Sequence, residues 1–154
     1  MPAPNTQFSI AIHLMVALGY ARGSFSAREP NGQREPNGGQ TSSQLAASIN
    51  TSPSFVRRIL SKLAKAGLVR TTTGKMGKCS LEKPSKKVTL LDIYRAVGSP
   101  KVFLLHDYPE QKHCNVSCNI KCSMNKVQVK IQKSLEKALK KITLSDVIAD
   151  LKKK

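Results

Sequence analysis

Residues 41 to 83 constrain the fold more than any other stretch, because capping, turn and stop signals follow one another there in the order helix, tight turn, helix, hairpin. Thr41 and Ser42 are capping residues, and behind them Leu45, Ala46 and Ile49 recur at helical spacing. Asn50, Thr51 and Ser52 interrupt that helix. Ser52 can cap a second one, and Pro53 suits its first position, where the missing N–H would have no partner anyway. Phe55, Ile59, Leu60, Leu63 and Ala64 then form an apolar stripe, and Gly67 supplies the stop, since glycine adopts a left-handed conformation at no steric cost. Leu68 to Thr72 reads as a strand, Gly74 to Lys78 as a glycine-marked turn, and Cys79 to Leu81 as a return strand.

Two short helices joined by a three- or four-residue turn form a helix-turn-helix, whose second helix fits the DNA major groove. The side chains off the second apolar stripe are Ser54, Arg57, Arg58, Ser61, Lys62 and Lys65, a cationic face without an acid. The hairpin would be a wing that carries Lys75 and Lys78 towards phosphates. The alternative is a plain helical segment with a solvated basic face. The candidate DNA-facing set is Ser52, Ser54, Phe55, Arg57, Arg58, Lys62, Lys75 and Lys78, with Ser54, Arg57 and Arg58 at base edges and the three lysines on phosphates.

Composition agrees. Twenty-six Lys and Arg against nine Asp and Glu leave a net charge of +17, which points to a polyanion, nucleic acid ahead of membrane surface. Residues 53 to 101 alone hold twelve Lys and Arg and two acids. Without Trp and with few aromatics there is no stacking platform for single strands, so duplex DNA fits better than RNA loops. No paired carboxylates, catalytic triad or phosphate loop is present, so an enzyme is not expected. Ile10 to Ala21 is apolar enough to suggest a signal core, but no Lys or Arg precedes it and His13 interrupts it. It reads as a buried helix, and a cytoplasmic location without membrane partners is expected.

Phe8, Ile12, Met15, Val16 and Gly19 or Tyr20 place a first helix at about residues 7 to 20, beneath the two-helix unit. Residues 28 to 39 are a tandem repeat, Arg28-Glu-Pro-Asn-Gly-Gln33 and Arg34-Glu-Pro-Asn-Gly-Gly39, expected to be a mobile surface loop. Thr89 with Asp92, and Thr143 with Asp146, have the shape of capping boxes. Between them Ile120, Met124, Val127, Ile131, Leu135, Ala138 and Ile142 form an apolar stripe at steps of three and four. A second copy of the same helix would bury it, giving a homodimer; packing within the chain is the alternative. Cys114, Cys118 and Cys122 fall four apart, on one face if helical. Inert thiols, a redox switch and a metal or iron–sulfur site stay open, since this spacing is not that of a zinc site. No cofactor is expected, with an iron–sulfur cluster as the alternative.

The run from Ser43 to Arg70 resembles the signature of the Rrf-two (BadM-type) winged helix regulators. The likeness extends to the glycine-rich Gly74 to Leu81, to Val88 to Val97, and to Phe103-Leu-Leu-His106 and Thr143 to Ile148, and so covers nearly the whole chain except residues 28 to 40. It implies a winged helix-turn-helix, mainly α with a small β-hairpin wing, and a long C-terminal dimerisation helix. It also implies a repressor dimer on a palindromic operator, with backbone contacts near Asn5, Thr6 and Gln7. The expected division is a DNA-binding domain over 1–100, with 28–40 as an insertion, and a cysteine-bearing segment and dimerisation helix over 101–154. Two departures are plain. The family's connection at 28–40 is much shorter, and its cluster-binding members space their cysteines more widely; where one branch has Cys followed by Pro-Val-Gly, this chain has Cys114-Asn-Val-Ser. The resulting expectation is a sequence-specific DNA-binding regulator with a thiol redox response as one option, against an iron–sulfur sensor or a non-specific structural nucleic-acid-binding protein.

Overall fold

The structure is a computed structural model, which describes residues 6–24, 39–72 and 77–154. The tandem repeat up to Gly38, Asn5 and Lys75 therefore lie outside the described residues. Six α-helices and a small sheet follow in the order α1 (Thr6–Ser24), β1 (Gln40–Thr41), α2 (Ser42–Ile49), α3 (Pro53–Lys65), β2 (Val69–Thr71), β3 (Lys78–Leu81), a 3-10 turn (Ser85–Lys87), α4 (Leu90–Ala96), α5 (Asn115–Lys141) and α6 (Leu144–Lys152).

Helix ends form where the local chemistry dictates. Thr41 and Gln44 satisfy each other's backbone N–H groups at the start of α2, and Asn50 ends that helix in the left-handed region at φ 60°. Ser52 accepts from the Phe55 N–H while Pro53 occupies the first turn of α3. Gly67, at φ +71°, turns the chain from α3 into β2, a conformation in which a side chain would be strained. The hairpin β2–β3 is antiparallel, with Val69 opposite Leu81 and Thr71 opposite Cys79. The sequence reading missed β1, which pairs with β3 and completes a sheet of order β1-β3-β2. Two residues long, it carries no periodicity to detect.

Helix α1 lies at the centre of the core, against α2, α3, α4, α6 and β3. Its buried side chains are Ala11, Leu14, Met15, Val16 and Leu18, whereas the expected Phe8 and Ile12 are only half-buried and Tyr20 is 43% exposed. Because the segment is apolar nearly all round, spacing alone could not choose its inward face. Gly19 packs so closely on α6 that an added Cβ would come within 2.5 Å of Ile148 Cδ1. That approach lets α6 return to the core.

The two capping boxes meet. Thr89 and Thr143 form an isolated antiparallel bridge, with Leu90 N–H donating to Ile142 O at 2.9 Å and Leu144 N–H to Val88 O at 2.8 Å, so α4 and α6 start side by side. Hydrogen bonds from the Thr143 backbone, then from its side chain, hold the Asp146 carboxyl below its ordinary range. A lowered carboxylate stabilises the fold above the unfolded value of about 3.9, and that contribution is lost as pH falls through the lowered folded value. Protection of the α6 amides relative to their intrinsic exchange rates should therefore be level above about pH 4 and fall below it. The acid step should vanish in Asp146→Asn; an unchanged profile in that variant would show that Asp146 is not its source.

Helix α5 docks on α4 through a largely polar seam. The Gln132 amide donates to Tyr94 Oη at 2.7 Å, the Tyr94 hydroxyl donates to Pro100 O, and the buried Gln128 amide donates to Phe103 O. Leu139 is the buried apolar residue of α5, and Leu135, a member of the expected intermolecular stripe, is partly buried against the same core. Hydrophobic periodicity did not show this contact because the two inward positions before it, Gln128 and Gln132, are polar.

Candidate nucleic-acid interface

Helix α3 buries Val56, Ile59, Leu60 and Leu63 and turns the rest outward. Ser54, Arg57, Arg58, Ser61, Lys62 and Lys65 are all exposed, as the sequence suggested. Val56 was the missed core position. Phe55 is half-buried at the edge of the core, with the Arg58 guanidinium 5.9 Å above its ring centroid. Such a contact restrains an otherwise free side chain and holds the charge near the start of α3. Ser52 is exposed and its oxygen is engaged in the cap.

Lys62 Nζ donates to Gln7 Oε1 at 2.9 Å, which joins the first turn of α1 to the middle of α3. The ammonium has three donors, so two stay available to phosphate. Gln7 is thus the part of the expected α1 contact that the structure brings beside α3. No local signal links two residues 55 apart in sequence.

At the base of the wing, Thr72 N–H donates to Lys78 O at 3.0 Å and Lys78 N–H to Thr72 Oγ1 at 3.0 Å. The Lys78 side chain is exposed on β3. Arg70 and Glu82 form a two-pronged ion pair, Nε to Oε2 and Nη2 to Oε1, both 2.8 Å. The hydrogen bonds from Arg70 hold the Glu82 carboxyl below its ordinary range and raise the guanidinium. This pair was legible in principle, since Arg70 opposes Ser80 and Glu82 is its diagonal neighbour. It offsets a charge that the hairpin would otherwise offer to phosphates.

The cysteines divide by environment. Burial in β3 pushes the Cys79 thiol up, whereas Cys114, Cys118 and Cys122 are exposed. Cys114 caps α5, accepting from the Ser117 N–H at 3.5 Å, and the Cys118 thiol donates to Gln111 O at 3.5 Å. Along a helix rising about 1.5 Å per residue, positions 114 and 122 lie about 12 Å apart, too far for a shared metal with bonds of about 2.3 Å. Among the described residues no group of three or more His, Cys, Asp or Glu could hold a metal ion. The three thiols of one chain, as placed, therefore do not share a single metal ion. His13 is an edge residue, its Nε2 3.0 Å from Ser48 Oγ. No described helix is long and apolar enough to cross a membrane.

Comparison with known proteins agrees with this geometry. A family described as "Rrf2: Iron-dependent Transcriptional regulator" matches residues 5–150. The HTH-type transcriptional regulator YwnA of Bacillus subtilis (strain 168) is 35% identical over 110 residues, covering 70% of this chain and 69% of that protein. Two solved structures share the fold. IscR of T. potens superposes with a TM-score of 0.64 at 23% identity, covering 95% of this chain and 85% of that one. CymR (YrzC), the global cysteine regulator of B. subtilis, gives 0.62 at 19%, covering 94% of each. The cationic face of α3, the hairpin beside it and the extent of the family match lead to one conclusion: this chain belongs to the Rrf2 family of winged helix-turn-helix transcriptional regulators and is not an enzyme.

Proposed function

We propose that the protein is a dimeric, sequence-specific repressor that binds a palindromic operator through α3. The observation that carries this reading is the segregation of α3 into a buried apolar side and an exposed side of two arginines, two lysines and two serines. Ser54, Arg57 and Arg58 read base edges, while Lys62, Lys75 and Lys78 neutralise phosphates. Residues 101–154 serve as the dimerisation arm. In support, eight of the ten large hydrophobic side chains exposed among the described residues fall between Val102 and Ile142. A second copy is the natural cover for such a concentration. Repression follows family habit.

The test is selection of a preferred site from random duplexes followed by competition at moderate salt. A specific regulator should prefer that site over random duplex by about 10³ or more. A preference below about ten-fold at the same salt would leave a non-specific structural binder.

A thiol response is the second reading, favoured by the exposure of Cys114, Cys118 and Cys122. Helical neighbours four apart hold their Cβ atoms about 5–6 Å apart, whereas a disulfide needs about 3.5–4.5 Å. A Cys118–Cys122 bond would therefore need local unwinding, and oxidation should give a modified thiol or a link between subunits. Mass spectrometry after mild peroxide treatment should show adducts on these three cysteines and none on Cys79. Unmodified thiols, with DNA binding unchanged, would remove the thiol reading.

A further inference from the structure

The strongest charged surface that operator binding leaves unused runs along α5. Lys126, Lys130, Lys133, Lys137 and Lys140 follow at steps of four and three, with Lys141 beside the last, and all six are exposed. At about 100° per residue they fall within a band about 100° wide. That band lies about 110° round the helix from the Val127 and Ile131 stripe, and about 160° from the side that carries Gln128, Gln132, Leu135 and Leu139 onto the winged domain. Neither the fold nor the proposed dimer seam covers it. Glu136 is the only acid of α5, and it is engaged with Arg95 at 3.5 Å on another side. Among the described residues none of the six lysines enters an ion pair.

We infer that this lysine band is a second DNA-binding surface, which grips the phosphate backbone of a duplex other than the one held by α3 and so lets one protein join two DNA segments. The band from Lys126 to Lys140 is about 21 Å long, a length over which duplex DNA presents about twelve phosphate charges. Its borders are Ser123 and Ser134 on one side and Val129 on the other, so charge and hydrogen bonding dominate, as a phosphate backbone requires and an amphipathic acidic peptide does not. Because α5 faces this band away from its own winged domain, a duplex on α3 leaves it open. Without base-reading groups the surface is indifferent to sequence. Four phosphate contacts predict a salt slope of about −3.6 for this second binding event.

The experiment uses the full chain with two random-sequence duplexes, one immobilised and one fluorescent, and measures protein-dependent capture of the second by the first. Replacing Lys126, Lys130, Lys133 and Lys137 together by Gln should cut capture at least about ten-fold, because four contacts at about 0.1 M salt are worth on the order of 10³. Binding of the first duplex, followed by anisotropy, should change less than about two-fold. The four corresponding Lys→Arg changes keep the charge and should keep capture. Unchanged capture in the glutamine variant would overturn the inference, and so would a parallel loss of both binding events, which would place the band on the same duplex as α3.

Discussion

Val127→Asp combined with Ile131→Asp is expected to yield a folded monomer whose operator affinity is lower by a factor of about 10² to 10⁴, the range by which joining two binding units strengthens association. The folded state should survive because these side chains are 44% and 39% exposed and lie off the seam that α5 makes with α4. A dimer would bury both valine and isoleucine next to their copies, and four carboxylates in one apolar seam cannot all be paired. A single winged domain reaches only one half of a palindrome, so affinity should fall towards that of one half-site. Light scattering for mass and anisotropy for DNA binding measure the two effects separately. If the doubly substituted protein stays dimeric and binds as before, the seam lies elsewhere. Leu139→Asp is the contrasting change, because Leu139 is buried against its own domain and its loss should unfold the chain rather than divide it.

The second large effect concerns α3 itself. Arg57→Ala should weaken binding to the preferred site by about 1–3 kcal/mol, roughly 5- to 150-fold, and relax the preference at one base position while costing much less on random duplex. Lys78→Ala should weaken both alike and flatten the salt slope by about one unit, as expected of one lost phosphate contact. The contrast rests on position. Arg57 projects from the first half of an exposed helical face, whereas Lys78 stands on the strand at the base of the wing. Equal losses on specific and random DNA for Arg57→Ala would mean that the side chain touches backbone rather than bases.

The helix-turn-helix was legible because its signals act over a few residues. Ser52, Pro53 and Gly67 each fix a helix end through contacts with their immediate neighbours, and the same holds for the Thr89–Asp92 and Thr143–Asp146 boxes. The outward face of α3 was equally readable, since a helix with alternating apolar and basic sides has one stable orientation against a core. α1 was harder. Its apolar residues surround it, and only its five neighbouring elements chose Ala11, Leu14 and Leu18 for the interior. On α5 the polar Gln128 and Gln132 occupy inward positions, so apolar spacing did not reveal that Leu135 packs on the chain's own core.

The sequence alone thus determined that these segments are helical, where α2, α3, α4 and α6 begin, and which side of the recognition helix is basic, because all of these depend on interactions within about one turn. Only the tertiary structure decided that Ile148 lies against Gly19, that the caps of α4 and α6 form one bridge, and that Lys62 holds Gln7. These pairs are far apart along the chain, and their meeting is set by how helices cross and strands register, which local preferences do not encode.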